Sequence, residues 1–418
     1  MRDECISDFS FEYLPLEKKD MKRFVLIVLL ASCVGCGVRN LDGVSDYERN
    51  GAWISPVVGQ GNGGSSEVTY VVGVDYPDGY DWHSDPDKGT VRCSLVVFWD
   101  GSPMIRIPVG DEYEVSSDPD MHRLAGGNIF TDFVTDNETV IKKNGELLFR
   151  YPGRELIMDM LCVGDTVYTL GQIRNKDGFV FRQNGKVVLS REEGYAFEHL
   201  QLDSGKVCFA FYEPIRLAEG VSKRYFTVED GVVDRLEPLY NVIDIRDVIF
   251  HDGKITYLGV LNQKNEPVVV TDGVPRVLMK SMYLTMKAGR LYDSSGSIWT
   301  ECLFPVEGES IRYGLWKDTE LVKMFPNGTS ISSLCTDGKE MICILNSDKG
   351  SYALRDGASI WFPEKYFLMG RRSSAVVNGA LTVGLSHKHG GRPIVWKEGH
   401  ADTLNINGYV TAVGSVSE

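Results

Sequence analysis

The chain has 418 residues, a formal net charge of −14, 43% hydrophobic and 24% charged side chains, and 44 glycines. An acidic balance argues against a nucleic-acid partner, which would need clustered Lys and Arg to neutralise phosphates. The composition is that of an ordinary globular chain, with glycine raised as many turns require. The acidic excess reads as a solvated surface and identifies no partner.

The first segment conflicts with the second. Residues 1–20 carry Asp3, Glu4, Asp8, Glu12, Glu17 and Asp20 against Arg2, Lys18 and Lys19. Such an acidic leader opposes the charge polarity of export signals, so translation is expected to begin at Met21. From there Met21-Lys22-Arg23 precedes the apolar run FVLIVLLA at residues 24–31 and then Ser32-Cys33. The run is shorter than the about 20 apolar residues that a bilayer span needs. It reads as a cleaved signal.

The tetrad Leu30-Ala31-Ser32-Cys33 resembles the lipobox of bacterial lipoproteins. The resemblance implies that Cys33 becomes the first mature residue and carries lipid. Cys36 is the second candidate, since Cys33 rather than Leu stands three residues before it. The expected organisation is a signal segment over 1–32, a lipidated tether over 33–66 and a folded domain over 67–418. The expected location is exported and membrane-anchored through lipid alone, at the periplasmic face or the cell surface. The tether holds a Gly/Ser stretch at residues 59–66, which is flexible-linker composition. It also holds the short apolar segment WISPVV at residues 53–58. The domain's cysteines (Cys93, Cys162, Cys208, Cys302, Cys335, Cys343) lack CxxC spacing and mostly lie in apolar strand patterns. They read as small buried hydrophobes.

From residue 67 onward one hairpin signature recurs: VVFWDGSPMIRI, TVIKKNGELLF, FVFRQNGKVVL, YFTVEDGVVDRL and four later variants. Its turn positions are Gly101, Gly145, Gly185, Gly231, Gly273, Thr319, Gly357 and Gly399, spaced 38 to 46 residues apart. Asp-Gly and Asn-Gly between alternating apolar residues are strong hairpin signals, because the turn needs positive φ. Thr319 breaks the rule, so that turn is expected to differ in type or register. A second ladder interleaves with the first, at Gly126, Gly164, Gly205, Gly253, Gly289, Gly338 and Gly379. Two hairpins per unit make four strands every ~40–45 residues, the pattern of a β-propeller. The expected fold is all-β, with about eight four-stranded blades, or seven if repeat 2 merges with a neighbour.

Val167-Tyr168 with Gly171 and Asn184-Gly185, and Trp396-Lys397-Glu398-Gly399, carry a further likeness. They resemble the V-Y-x-x-G … W-K-N-G repeats of exported β-propeller lipoproteins of Bacteroidetes-like bacteria. The resemblance covers about residues 67–418. It implies the fold and says little about function.

Repeat 1 has a second strand at residues 68–74 and no first strand before it, while residues 408–416 look like a first strand with nothing after it. The C-terminal strand is therefore expected to complete blade 1, removing two exposed edges. Both glycine ladders then lie on one face. The opposite face receives the irregular connections, where function concentrates. Long loops are expected at residues 75–89 (blade 1), 212–224 (blade 4) and 292–312 (blade 6, holding Trp299), with a shorter one around His387-Lys388-His389 (blade 8).

Ring closure would bring blades 8 and 1 together, so Asp75, Asp78, Tyr80, Trp82, His83, Asp85, Asp87, His387 and His389 are ligand-binding candidates. Three chemistries suit them. Asp75, Asp78, Asp81, Asp85 and Asp87 offer oxygens to Ca²⁺, though without EF-hand spacing. The histidines offer imidazoles to a transition metal. Tyr76, Tyr80 and Trp82 beside aspartates offer a stacking surface to a sugar. A plain solvated loop is the simplest alternative, and no resident cofactor or metal is assigned. First strands should line the central channel, with Asp159, Glu198, His199, Arg246, Asp247, Arg371 and Arg372 at its mouth; His199 and Asp247 join the candidates.

No nucleophile elbow, P-loop, dinucleotide fingerprint or HExxH stretch occurs. The leading expectation is a cell-envelope binding or interaction module with a protein or glycan ligand and no catalytic residues. The alternative is a carbohydrate-active enzyme or an accessory glycan-binding protein of a polysaccharide-uptake system.

Overall fold

A computed structural model describes residues 67–417, apart from 85–92, 110–121, 126–127, 135–136, 174–177, 198, 218–219, 262–265, 280–285, 287, 295, 307–308, 327, 338–339, 356 and 370–371. The lipobox cysteines Cys33 and Cys36, the segment 53–58, and Asp85, Asp87, Glu198 and Arg371 lie outside the described residues. Among the described residues there are strands and no helices.

Eight separate antiparallel sheets form eight blades arranged in a ring, an eight-bladed β-propeller. Blade 2 (His122–Ala125, Asn128–Val134, Glu138–Lys143, Glu146–Pro152) stands as a blade of its own, which settles eight against seven. Blade 3 runs from the axis outward as Glu155–Val163, Thr166–Ile173, Gly178–Gln183 and Lys186–Arg191. Blade 5 repeats that order with Val242–His251, Lys254–Leu261, Pro267–Thr271 and Val274–Val277. In blades 4 and 8 the innermost strand is split into two pieces, Tyr195–Ala196 with Gln201–Asp203 and Tyr366–Phe367 with Ser374–Val377. These two blades stand opposite each other in the ring.

The ring closes as the sequence predicts. Gly408–Ser417 pairs antiparallel with Glu67–Asp75 from Glu67↔Ser417 to Asp75↔Gly408, and becomes the inner strand of blade 1. Tyr409, Val410, Ala412 and Val413 are buried by this pairing.

The 3–4 turns explain why the sequence repeats Asp or Asn before Gly. Both turn residues have positive φ at Asp100-Gly101, Asn144-Gly145, Asn184-Gly185, Asp230-Gly231, Asp272-Gly273 and Glu398-Gly399. That double requirement is the type I′ hairpin turn. The first turn residue has a second task. Its side-chain oxygen accepts the N–H that begins strand 2, at 3.1 Å for Asp100 with Thr69, 2.9 Å for Asn184 with Val167 and 2.8 Å for Asp318 with Ile298. Its own N–H donates to the carbonyl of that same residue, as Asn184 does to Val167 at 2.8 Å. The turn thus extends the strand 2–3 ladder by one rung.

Asp318-Thr319 belongs to the same set. Its φ values are 46° and 79°, so Thr319 takes the conformation of its glycine counterparts, and the expected change of turn type is corrected. The Asp318 side-chain bond to Ile298 is kept, and it holds the turn without glycine.

A second correction concerns blade 6. Gly289 lies within the innermost strand, Ala288–Ser294, and the 1–2 turn falls at Gly296 (φ 76°). The phase of this repeat therefore shifts along the chain. Ser297–Val306 and Glu309–Lys317 are two long paired strands where the sequence suggests a loop. Trp299 is buried between blades 6 and 7.

Packing between blades is apolar and often aromatic. At the blade 3–4 boundary Phe179 and Phe181 meet Phe209 and Phe211 at centroid distances of 4.9 to 5.9 Å. Each such fully buried ring contributes about 2–3 kcal/mol. Five of the six described cysteines are buried, and all six are free thiols. Burial raises Cys335 to about 12, so the thiol stays protonated and inert.

Candidate functional site

The face carrying the 2–3 and 4–1 connections is built from unlike pieces. At blade 1 the chain leaves strand 2 at Asp75, whose carboxylate is already engaged. Its Oδ1 accepts the Asn407 N–H at 2.8 Å and its Oδ2 accepts Arg106 Nη1 at 2.6 Å. Asn407 in turn donates its amide to the carbonyls of Pro77 (2.7 Å) and Tyr80 (3.1 Å). The C-terminal segment therefore pins the blade 1 loop. Trp82 is 1% exposed and packs on Tyr409 at 5.3 Å, while Tyr76 packs between Tyr80 (5.2 Å) and Tyr409 (6.3 Å). These rings close the top of the blade 1 core. Trp82 and Tyr76 offer no free face to a sugar, which corrects the stacking-surface expectation for them. Asp81 accepts Ser84 Oγ at 2.7 Å and the N–H groups of His83 and Ser84, and the Ser84 bonds hold its carboxyl below the ordinary range. Asp78 and His83 are exposed, and Tyr80 is half-buried.

The blade 8 loop does lie beside this one. A Cβ placed on Gly390 would sit 3.3 Å from Asp81 Oδ1 and 3.9 Å from His83 Cβ. His387 and His389 are 6.1 Å apart, ring centroid to centroid. Among the described residues, no group of three or more His, Cys, Asp or Glu side chains is placed to hold a metal ion.

The central cluster differs from its expected form. Asp159, His199, Asp247 and Arg372 are buried, and Asp159 and Asp247 lie in the middle of the strands Glu155–Val163 and Val242–His251. Each tends to bond the next blade. Asp159 Oδ2 accepts Leu200 N–H (2.8 Å), His199 Nε2 donates to Val248 O (2.8 Å), and Asp247 Oδ2 accepts Leu291 N–H (2.8 Å). Ser333 and Ser374 continue the series at 2.7 Å, and Ser373 reaches the carbonyl of Thr411 at 3.4 Å. A belt of side chains thus staples blade to blade around the axis. One-residue bulges before Asp159, Asp247 and Ser333 turn these side chains sideways. Burial pushes the Asp247 carboxyl up, offset by His199, the Leu291 N–H and Arg290. Arg372 of blade 8 comes within 3.9 Å of Asp159 of blade 3. His199 and Asp247 are thereby placed in the framework. Arg246 is half-buried and pairs with Asp244 at 2.9 Å.

Blade 4 supplies a feature the sequence hides. Residues 212–224, expected as a loop, continue as a paired hairpin, Lys206–Leu217 with Gly220–Glu229, in register to Leu217↔Gly220. Asp244 of blade 5 anchors this arm by accepting Lys223 Nζ (3.0 Å) and Tyr225 OH (3.1 Å). Tyr195 and Tyr212 stack at 5.2 Å along it. Tyr240, in the following 4–1 connection, is fully exposed on the same face. A single Tyr between Leu and Asn carries no sequence signal that would have picked it out.

The opposite face holds another group that was missed. The 1–2 turns of blades 4 to 6 gather Asp203, His251, Asp252 and Asp293: His251 Nδ1 contacts Asp293 Oδ2, and its Nε2 lies 3.3 Å from Asp252. Asp203 accepts the Gly253 N–H at 2.8 Å. Burial raises the Asp293 carboxyl, and His251 offsets this.

No protein family matches the sequence, and no curated protein matches it. Solved structures do resemble it distantly. An acylaminoacyl peptidase of Pyrococcus horikoshii is 13% identical with a TM-score of 0.44, over 73% of this chain and 52% of that one. This chain thus spans about half the length of that peptidase. The β-propeller domain of the trilobed protease from Pyrococcus furiosus is 12% identical with a TM-score of 0.42, over 72% and 94%. The dihydro-heme d1 dehydrogenase NirN is 9% identical with a TM-score of 0.46, over 82% and 74%.

Proposed function

We propose that this chain is an exported binding module of the cell envelope, lipid-anchored at Cys33. It meets a protein or glycan ligand on the face of the 2–3 and 4–1 connections. The observation that supports this reading is the contrast between the two faces. One carries near-identical tight turns at the described strand 3–4 connections. The other carries the abutting blade 1 and blade 8 loops, the blade 4 arm and the exposed Tyr240. Irregular connections on a rigid frame are where binding residues concentrate. Among the described candidates Asp78, His83 and His389 are exposed and Tyr80 is half-buried, whereas Asp75, Trp82, His199 and Asp247 serve the frame.

Two measurements test the reading. Membrane fractionation of the full chain should release the protein on Cys33→Ala; unchanged membrane retention of this variant and of Cys36→Ala would remove the anchor. A thermal-shift panel of glycans and Ca²⁺, followed by cross-linking in the native envelope, should find a ligand whose effect is lost with Tyr240→Ala or His389→Ala. A ligand that ignores these changes and responds to substitutions at the turn face would overturn the assignment of the face. Glycan turnover in the same panel would favour the enzyme reading.

A further inference from the structure

The blade 8 loop follows the strand Ala380–His387 and turns back at Gly390, where φ is 72°. Two of its backbone donors point at one atom. The N–H of His389 lies 3.2 Å from His387 Nδ1, and the N–H of Gly391 lies 3.1 Å from it. Backbone amides can only donate, so Nδ1 must present its lone pair. The neutral ring then carries its proton on Nε2. Histidine here does the work that Asp or Asn does in a side-chain-capped turn.

We propose that His387 is an acid-operated latch: neutral, it holds residues 387–391 closed, and protonated on Nδ1 it releases them. Protonation turns the acceptor into a donor, so both backbone N–H groups would face an N–H. The cation also forms in positive company. His389 on its own loop, Lys365 on the connection before Tyr366–Phe367, and His83 on the blade 1 loop all disfavour it. Lys388 and Arg392 are chain neighbours, and Tyr366 presents its ring edge-on at 5.2 Å. The carboxylate on the blade 1 side, Asp81, is already accepting bonds from Ser84 and His83. Burial first, and these charges second, hold His387 below the ordinary histidine range. The folded loop prefers the neutral ring. Its stabilisation is therefore present above the ordinary histidine range and is lost as pH falls through the depressed value.

Gly390 lies against Asp81 and His83, so release would also loosen the corner between blades 8 and 1. That this alters ligand contact rests on the face assignment above; the latch itself does not. Hydrogen exchange of the full chain, followed in the peptide over residues 386–393 and corrected for intrinsic pH effects, tests it directly. Wild type should lose protection about tenfold between about pH 7.5 and about pH 5, as expected for two hydrogen bonds. His387→Asn puts an amide oxygen at the place of Nδ1 and should stay protected at both pH values. His387→Ala should be unprotected at both. Equal protection of wild type at the two pH values, or an unchanged acid response in His387→Asn, would overturn the latch. A ligand whose affinity ignores pH while exchange still switches would sink the functional reading and leave the latch standing.

Discussion

The two faces of the ring solve the same problem differently. On the turn face the strand 3–4 connections described at both turn residues have both at positive φ, and in six of them a side-chain oxygen of the first completes the ladder. On the loop face three described connections are local inventions: an arm in blade 4, a pinned aromatic loop in blade 1, a histidine-capped turn in blade 8. The first arrangement can be repeated around a ring because its hydrogen bonds stay within its own blade. The second depends on what stands next door. The difference shows which residues carry the frame and which are free to diverge.

Four changes to the chain should separate frame from loop, from the largest effect to the smallest. Removing residues 405–418 takes away the inner strand of blade 1 and should abolish both faces together. It exposes Tyr70, Val72 and Trp82 from the other side, and the cost is on the order of 5–10 kcal/mol, as large as a domain's whole stability. Calorimetry should show loss of the cooperative transition, and an unchanged Tm would refute closure as the source of stability. Next is Asp247→Ala, which leaves the buried Leu291 N–H without its acceptor and should cost about 2–4 kcal/mol in chemical denaturation. The turn face comes third. Asn184→Ala removes both the tolerance of positive φ and the bond to Val167, for about 1–2 kcal/mol. Last, Asp78→Ala on the loop face should move stability by less than about 0.5 kcal/mol. If Asp78→Ala proves as costly as Asn184→Ala, the division between frame and free loop fails.

Much of the fold was legible because positive φ is written in a small alphabet. Asp-Gly and Asn-Gly marked the turns, and the unpaired strand at each end of the domain revealed the closure. Where the alphabet was looser, the reading slipped. Gly289 resembles a turn glycine, yet it sits in a strand where a Cβ would come within 2.5 Å of Leu258. Pro214 and the charges of residues 212–224 look like a loop, although cross-strand pairing keeps them extended. The site was legible only as a neighbourhood. The convergence of blades 8 and 1 followed from closure. That Trp82 serves as core under Tyr409, and that Asp247 reaches sideways to Leu291, depends on contacts between residues far apart in sequence.

The joint in blade 1 has a consequence for how the protein comes to exist. Thr411 donates its hydroxyl to the carbonyl of Val72, 339 residues earlier. The earliest strand of the ring to leave a ribosome must wait for the last before its inner edge is covered. Until then it offers an open row of donors and acceptors to any passing strand. An open edge of this kind favours rapid completion of the ring once the last strand is made. A stall shortly before the end would be more dangerous to it than one near the beginning.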